Sequence, residues 1–333
     1  GYKICQNILF LDRHENYPEN CYCIYTKRKR IIYTAYMADT LFYTADSIFF
    51  LCIAIAGIYL FVFALAALFR RSEKYPATGN MHRFILLVPP GTEICKQKYP
   101  EELYTLLTYE NLYQSIKELD ESLYDIAIIL GETTNVSPCL LKEINNAYGS
   151  GTMAMQLHHI IECRPTRKIR WKAIHEEIRN SIFRQGHVQT GLSSALEKTD
   201  IAIDFKWLKQ NLRSPKSNLE SRLLQQNIYI EYMDHIHIYS NTPRPRPYSM
   251  SKRKAVSKLP AVLMEGNWDY ADKLFRQLLP SWRILLLFSS IWCIIATCYD
   301  WRASLSWWFL LFALLFTLCL AIPDYLVEKK KKK

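Results

Sequence analysis

The chain has 333 residues, with 42 lysines and arginines against 31 aspartates and glutamates, so its formal net charge is +11. This length allows one large folded domain or two small ones. The basic excess is concentrated near the two ends, with six lysines and arginines in residues 1–36 and five lysines in residues 329–333. The middle of the chain therefore carries little net charge, which argues against a body built to bind nucleic acid and favours contact with anionic lipid headgroups.

Hydrophobic residues make up 50% of the chain and cluster in long stretches. Residues 48–69 form an uninterrupted apolar stretch whose roughly 22 residues would span ~30 Å as a helix. Residues 284–298 and 305–322 form two more apolar stretches, separated by a polar and aromatic turn. The sequence therefore predicts one N-terminal transmembrane helix and a C-terminal transmembrane hairpin.

Basic residues next to the apolar stretches predict the orientation in the membrane. Arg70 and Arg71 follow the first stretch, Arg283 precedes the hairpin, and lysines close the chain, so we expect the polar middle to be cytoplasmic. The protein is then integral to an inner or plasma membrane. The basic residues 27–30 conflict with this orientation, and one resolution is that the native protein starts at Met37, with residues 1–36 an upstream or non-native segment.

These patterns divide the chain into predicted segments. In order, they are a possible non-native segment 1–36, a transmembrane helix 37–71, a cytosolic domain 83–262, an interfacial helix 266–280, a transmembrane hairpin 284–322 and a basic tail 323–333. The interfacial helix is predicted because Trp268, Ala271, Leu274, Phe275 and Leu278 share one helical face.

The first half of the cytosolic domain alternates short apolar runs with helical spacing. Strands are predicted at 84–88, 103–108 and 126–130, with helices at 111–119 and 138–148. The run 126–130 is apolar throughout, as expected for a strand covered on both faces. Strands that alternate with helices at this spacing predict a mostly parallel sheet with helices on its faces.

The second half begins with a long amphipathic pattern. A helix is predicted at 167–188, a strand and turn at 198–210, a helix at 217–227 stopped by Asn227, and a strand at 228–240. Residues 241–249 alternate proline with other residues, which predicts an extended connector that serves as a stiff spacer.

Several strings in this order resemble the motifs of membrane glycosyltransferases of family 2, which have a GT-A fold. They are "ILLVPPGTE" (85–93), "TYEN" (108–111), "LGETTNVSPCLL" (130–141), "GLSSALEKTDIAI" (191–203), "SNLESRLLQQNIYIEY" (217–232) and "SKRKAV" (251–256). Each string alone is a weak signal, whereas their common order between membrane spans is stronger. The resemblance covers residues 84–322 and implies a GT-A-like α/β domain in the cytosol.

The resemblance also implies a donor site. Carried over residue by residue, the donor-binding candidates are Pro89, Glu93, Glu110, Asn111, Glu132, Thr133, Lys252 and Arg253. An active member of the family would use a nucleotide-sugar with Mn²⁺ or Mg²⁺, because a hard cation held by carboxylates balances the charge of the leaving diphosphate.

The chain departs from the family at the residues that carry the chemistry. Gly131 and Thr133 stand where the paired aspartates would hold the metal, so no metal site is expected. Asn218 stands at the position of the catalytic base, with Glu220 nearby, and an amide cannot accept a proton near neutral pH. Residues 197–200 replace the glycines of the G-L-x-x-x-L-x-G-x-G segment, and Ala255 replaces the tryptophan of the Q-R-x-R-W motif. The short spacing between Glu110 and Glu132 indicates a truncated domain with one βα unit missing.

These departures predict a catalytically degenerate protein of glycan or polysaccharide assembly that acts as a partner or scaffold. Its partners would be membrane lipids and an active glycosyltransferase or glycan-export protein. The alternative is an active hexosyltransferase that moves a sugar from a nucleotide-sugar to a membrane-associated acceptor. An unrelated membrane-anchored α/β binding protein is the third possibility, and it predicts that the strand tips carry no nucleotide site.

Overall fold

The computed structural model of the protein describes residues 19–69, 75–92, 94–162, 166–242, 244 and 250–323. The chain divides into two compact units, Gly1–Ile55 and Ala56–Lys333. The first unit contains the greater part of a long helix that begins at Glu19, and the second contains a seven-stranded sheet and all of the other helices of the described residues.

The strands of the second unit are short, apart from two. They are β1 Phe84–Val88, β2 Tyr104–Thr108, β3 Ile126–Ile129, β4 Asn135–Val136, β5 Ala154–Ile161, β6 Ile201–Asp204 and β7 Ile230–Ser240. The helices are α1 Glu19–Ala66, α2 Leu112–Glu118, α3 Leu140–Gly149, α4 Arg167–Asn180, α5 His187–Gln189, α6 Phe205–Asn211, α7 Leu219–Gln225, α8 Lys252–Met264, α9 Trp268–Leu278, α10 Trp282–Tyr299 and α11 Trp301–Leu320. A 3₁₀ turn at Glu101–Leu103 precedes β2.

The sheet is mixed, with the strand order β2-β1-β3-β6-β5-β7-β4. β1 pairs in parallel with both β2 and β3, and β5 pairs in parallel with β7. β6 runs antiparallel to both of its neighbours, and β4 runs antiparallel to β7. The prediction of a mostly parallel sheet is therefore wrong for β6 and β4, because hydrophobic spacing identifies a strand without fixing its direction.

Both faces of the central strands are buried, as their continuous apolar runs predict. Every residue of β1 and β3 is buried. Ile85 and Leu87 face a core shared with α7, α8 and α9, whereas Phe84 and Leu86 face a second core shared with α3. Burying each such side chain contributes about 1.5–3 kcal/mol, so the two cores hold the strand ends in place.

The second half of the domain differs from prediction in three helices, one of which, α8, was not predicted. A turn was expected after β6, but Asp204 accepts a hydrogen bond from the Trp207 amide (2.7 Å) and so caps the short helix α6. The predicted helix 167–188 consists of α4, a π-helical segment Ser181–Gly186 and α5. The predicted stop at Asn227 is confirmed, since Asn227 adopts φ 55° directly after α7.

The π-helical segment packs against the end of α1. A Cβ on Gly186 would lie 2.2 Å from the carbonyl oxygen of Phe63, so only glycine allows this approach. The His187 ring stacks on the Phe63 ring, with centroids 3.8 Å apart. The domain therefore meets the apolar helix through a close backbone contact.

Within the part of the chain that the structure describes, three helices are long and apolar enough to cross a membrane. They cover Tyr36–Ala66, Trp282–Tyr299 and Trp301–Leu320. Asp300 separates the last two and caps α11 by accepting from the Arg302 amide (3.0 Å). These helices match the three predicted spans, and they are consistent with a membrane protein.

Candidate functional site

The carboxyl ends of three neighbouring strands meet at one edge of the sheet. Val88 of β1 lies beside Thr108 of β2, and Leu87 lies beside Ile129 of β3. The alignment continues one residue further, since the Leu130 amide donates to the Leu87 carbonyl (2.9 Å). We call this the strand edge. It brings together the residues that follow the strands, including the predicted candidates Pro89, Glu110, Gly131, Glu132 and Thr133.

A guanidinium group fills the space beside Gly131. A Cβ built on Gly131 would lie 2.1 Å from Nη1 of Arg244 and 2.9 Å from its Cζ. Any side chain at this position, including the aspartate found in the family, would therefore require Arg244 to move. Gly131, which the resemblance predicted to stand in place of an aspartate, thus leaves room for an arginine from a distant segment.

Arg244 is held by a buried carboxylate. Its Nε donates to Asp200, and the two side chains are only 3% and 0% exposed. The Gly131 amide donates to the other oxygen of Asp200 (3.3 Å), and His159 Nδ1 lies 3.4 Å from the carboxylate. Nη1 of Arg244 donates to the Glu132 carbonyl (3.0 Å). Loss of either charge would leave the other buried and unpaired, which costs roughly 3–5 kcal/mol.

Two polar atoms near Gly131 have no hydrogen-bond partner within the described part of the chain. They are Nη2 of Arg244 and Oγ1 of Thr199, and both are buried. Thr199 Oγ1 lies 3.2 Å from the position of a Cβ on Gly131, on the same side as the guanidinium. Buried donors without acceptors are uncommon in folded proteins, so these atoms need an explanation.

The side chains of Glu132 and Thr133 do not converge on a cation. Glu132 is exposed, and its Oε2 accepts from the Thr242 hydroxyl (3.0 Å). Thr133 is buried and donates to the Gly131 carbonyl (2.7 Å). Among the described residues, no three His, Cys, Asp or Glu side chains are grouped so that they could hold a metal ion. The residues present thus do not fit Mn²⁺ or Mg²⁺, which need several oxygen ligands.

The neighbouring candidates have different environments. Glu110 is exposed at the edge, whereas the Asn111 side chain accepts from the Gln114 amide (3.5 Å) and caps α2. Lys252 and Arg253 are exposed in the first turn of α8, and no hydrogen bond or ion pair joins them to the strand edge in the residues that the structure describes. Glu93 lies outside the described residues.

The base position of the family is occupied by structural contacts. Asn218 caps α7 by accepting from the Ser221 amide (2.9 Å), and Nζ of Lys273 donates to the same oxygen (3.3 Å). Glu220 is buried and forms ion pairs with Lys273 and with Arg276, the latter at 2.5 Å. We call Asn218, Glu220, Lys273 and Arg276 the helix-junction cluster.

Electrostatics in the helix-junction cluster favour the charged form of its carboxylate. Burial opposes ionisation of Glu220, but the charges of Lys273 and Arg276 outweigh it and hold its pKa below the usual value. Burial lowers the pKa of Lys273 to about 8, against the attraction of Glu220. A carboxylate that is neutralised by two cations is poorly suited to take a proton from an acceptor.

The face of α9 that was predicted to lie in the membrane interface packs partly inside the protein. Ala271 and Leu274 are buried in the core that contains Ile85 and Leu87, whereas Trp268 is 66% exposed. Lys273, which is not part of that apolar face, is only 1% exposed. It can be buried because Glu220 of α7 supplies its counter-charge.

A third buried charge cluster lies behind the sheet. Arg184 pairs with Glu176 (3.1 Å) and with Glu197 (2.9 Å), and Glu197 is one of the residues that replace the glycines of the family motif. Burial opposes ionisation of Glu176, but Arg184 and Arg179 lower its pKa to about 2. Nε of Arg184 and Oε2 of Glu197 are buried without a hydrogen-bond partner among the described residues, so the pairing in this cluster is also incomplete.

A cavity of about 280 Å³ lies between the π-helical segment and β7. Its lining includes Gln185, Val188, Tyr232, Met233 and His235. It contains none of the residues predicted from the sequence to bind a donor.

Arg244 and Asp200, the ion pair that lies at the strand edge, were not identified from the sequence. Arg244 was assigned to a stiff spacer, and Asp200 was noted only as part of a lost glycine motif. The pair joins segments 44 residues apart, which no local pattern reports. One signal was present, since glycine in place of aspartate leaves room for another group.

The chain was compared with protein-family models, curated proteins and solved structures. No protein-family model matches it, and no curated protein matches it. Among solved structures, it is similar to a mannosyltransferase from Pyrobaculum calidifontis in complex with GDP-Man and Mn²⁺. That similarity has a TM-score of 0.40 and 10% identity, and it covers 83% of this chain and 97% of the other. At this level it does not establish a family, a substrate or a cofactor.

Proposed function

We propose that the protein is a membrane-bound, glycosyltransferase-like protein of glycan or polysaccharide assembly that lacks transfer activity and acts as a partner or scaffold. Three apolar helices and a mixed α/β sheet with three strand ends at one edge support this proposal. The order of the family-2-like strings along the sequence supports it further, since they fall on or directly after β1, β2 and β3 and on β6, α7 and α8.

The observation that carries the proposal is the guanidinium beside Gly131. In the resembled family, carboxylates at this position hold a divalent cation. Here a buried cation of the protein lies at 2.1 Å from the place of the missing Cβ. A dication ~4 Å from a guanidinium in a partly buried site would be repelled by roughly 8 kcal/mol before any ligand attraction. Asp200 offsets part of that repulsion, but it is already paired.

The helix-junction cluster supplies a second, independent argument. Transfer needs a base that takes a proton from the acceptor hydroxyl. Asn218 has no basic group, and Glu220 is buried between Lys273 and Arg276. Cation site and base are thus both replaced by internal contacts.

The surroundings of the protein follow from its charge pattern. We place the sheet domain in the cytoplasm at an inner or plasma membrane, because arginines and lysines flank the predicted spans on that side. Anionic lipids would contact these basic residues. The partner would be an active glycosyltransferase or a glycan-export protein.

A second candidate function is metal-independent sugar transfer to a membrane-associated acceptor. It is favoured by Glu110 and Glu132, two exposed carboxylates at the strand edge. This candidate would use one of them as the base and would make the protein an active hexosyltransferase.

A turnover assay separates the two candidates. The full chain, purified in detergent, is incubated with UDP- and GDP-sugars, with and without Mn²⁺, and the release of nucleoside diphosphate is measured. We expect no release above that of a detergent blank. Release that disappears in the E132Q variant would overturn the proposal and support metal-independent transfer.

A further inference from the structure

The guanidinium at the strand edge has spare hydrogen-bonding capacity. Arginine carries five N–H donors, and those of Nε and Nη1 point at Asp200 and at the Glu132 carbonyl. The Arg244 side chain is only 3% exposed, and its Nη2 is buried without a hydrogen-bond partner in the described part of the chain. The guanidinium, whose charge is balanced in part by Asp200, therefore keeps one donor group unused.

The orientation of Arg244 is determined by its neighbours. Asp200 is fully buried and adopts φ 59°, a backbone conformation that few non-glycine residues take. Its carboxylate also accepts a hydrogen bond from the Gly131 amide. A guanidinium held in this way is a positioned charge, unlike a solvated surface arginine.

The chemistry of the spare donors selects the ligand. A planar guanidinium binds the oxygens of phosphate groups well, because two N–H groups can donate in parallel. The Thr199 hydroxyl, also without a partner in the described residues, lies on the same side of Gly131 and adds a neutral donor. An anion with several oxygens would satisfy both groups at once.

We propose that Arg244 takes the place of a divalent cation at the strand edge and binds the diphosphate of a nucleoside diphosphate without metal. Asp200 is a positioning residue that holds the guanidinium. This inference takes the location of the site from the proposed function, but it concerns binding rather than transfer. A protein that binds a nucleotide and does not turn it over could report nucleotide supply to its partner.

The test measures binding to the full chain in detergent by calorimetry. UDP, GDP and inorganic pyrophosphate are titrated in EDTA and, separately, in Mn²⁺. We expect UDP or GDP to bind in EDTA, with an affinity that Mn²⁺ changes by less than about threefold. Pyrophosphate should compete for the same site, whereas uridine and guanosine should not bind.

Variants connect the binding to Arg244. R244Q should weaken binding by roughly 10- to 100-fold, as expected for the loss of hydrogen bonds to a charged group. R244K should fall between R244Q and the wild type, because it keeps the charge without the paired donors. R83Q is the matched control, since Arg83 is an exposed arginine at the opposite end of β1, and it should bind as the wild type does.

Three results would overturn the inference. The first is binding that requires Mn²⁺, and the second is no binding of either nucleotide in either condition. The third is tighter binding to R244Q, which would mean that Arg244 blocks the nucleotide site and does not bind the nucleotide. The first two use the wild type alone, so they hold even if R244Q fails to fold. Turnover of a sugar nucleotide would instead overturn the proposed function and leave the binding result unchanged.

Discussion

The strand edge and the helix-junction cluster both contain buried charges, and they differ in how completely those charges are paired. At the helix junction, Glu220 meets two cations, and Lys273 also donates to Asn218. At the strand edge, Arg244 meets Asp200 but keeps a buried donor group with no partner in the described residues. The paired charges of the helix junction stabilise the fold, whereas the spare donor of Arg244, at an edge where three strands end, is the basis for the ligand proposed there.

The largest expected effect is on the helix-junction cluster. E220Q removes the carboxylate that pairs with the buried Lys273 and with the partly buried Arg276, which costs about 3–5 kcal/mol of unfolding free energy. We expect its Tm in detergent to fall by about 10 °C, as measured by thermal unfolding. E118Q, an exposed carboxamide exchange in α2, is the control. A loss of less than 1 °C in E220Q would mean that the cluster does not stabilise the fold.

The second largest expected effect is a loss of stability in acid, because the paired carboxylates become protonated. Glu176 and Glu220 have pKa values below the usual 4.5 in the folded protein. At a pH just below 4.5, these carboxylates therefore stay charged in the folded protein, whereas in the unfolded chain they bind protons. Stability is therefore full above about pH 5 and falls as the pH drops through 4 toward 2. Tm measured from pH 6 to pH 3 should decrease, and it should decrease less steeply in E220Q. A Tm that does not change over this range would contradict the pairing.

The strand edge should respond to one methyl group. G131A places a Cβ where the Arg244 guanidinium lies, and the guanidinium can move only by weakening its contact with Asp200. We expect a cost of about 1–3 kcal/mol, together with weaker nucleotide binding. G79A is the matched control, because nothing lies within 4 Å of a Cβ at Gly79. Equal stability and binding in the two variants would show that Arg244 is not fixed beside Gly131.

The smallest expected effect concerns the family's base position. N218A removes the cap of α7 and should cost about 1 kcal/mol in unfolding free energy. N218D keeps the cap and places an acid near Lys273, so its Tm should stay close to that of the wild type. We expect N218D to show no sugar transfer, since the cation site is still absent. Transfer by N218D would show that only the base was missing.

Much of the fold could be predicted from the sequence because its signals are local. β1 was predicted at its observed bounds, and the three apolar helices follow from length and hydropathy alone. The helix stop at Asn227 and the buried faces of β3 follow from residue type and spacing. These features depend on neighbours along the chain, which a sequence shows directly.

The site could be predicted only in part, because its decisive contacts join distant segments. The sequence predicted that Pro89, Glu110 and Gly131 follow strands, and the resemblance predicted that Gly131 and Thr133 stand in place of metal-binding aspartates. It did not indicate that Arg244 fills the gap, or that Lys273 is buried against Glu220. The direction of β6 was missed for a similar reason, since pairing is decided by the rest of the sheet.

The central claim is that a guanidinium stands where the resembled family holds a divalent cation. The most direct measurement is Mn²⁺ binding by electron paramagnetic resonance, with the purified chain and GDP, using GDP in detergent alone as the reference. We predict that the chain binds no Mn²⁺ beyond that reference, in the wild type and in E132Q alike. One Mn²⁺ bound per wild-type chain and lost in E132Q would contradict the claim.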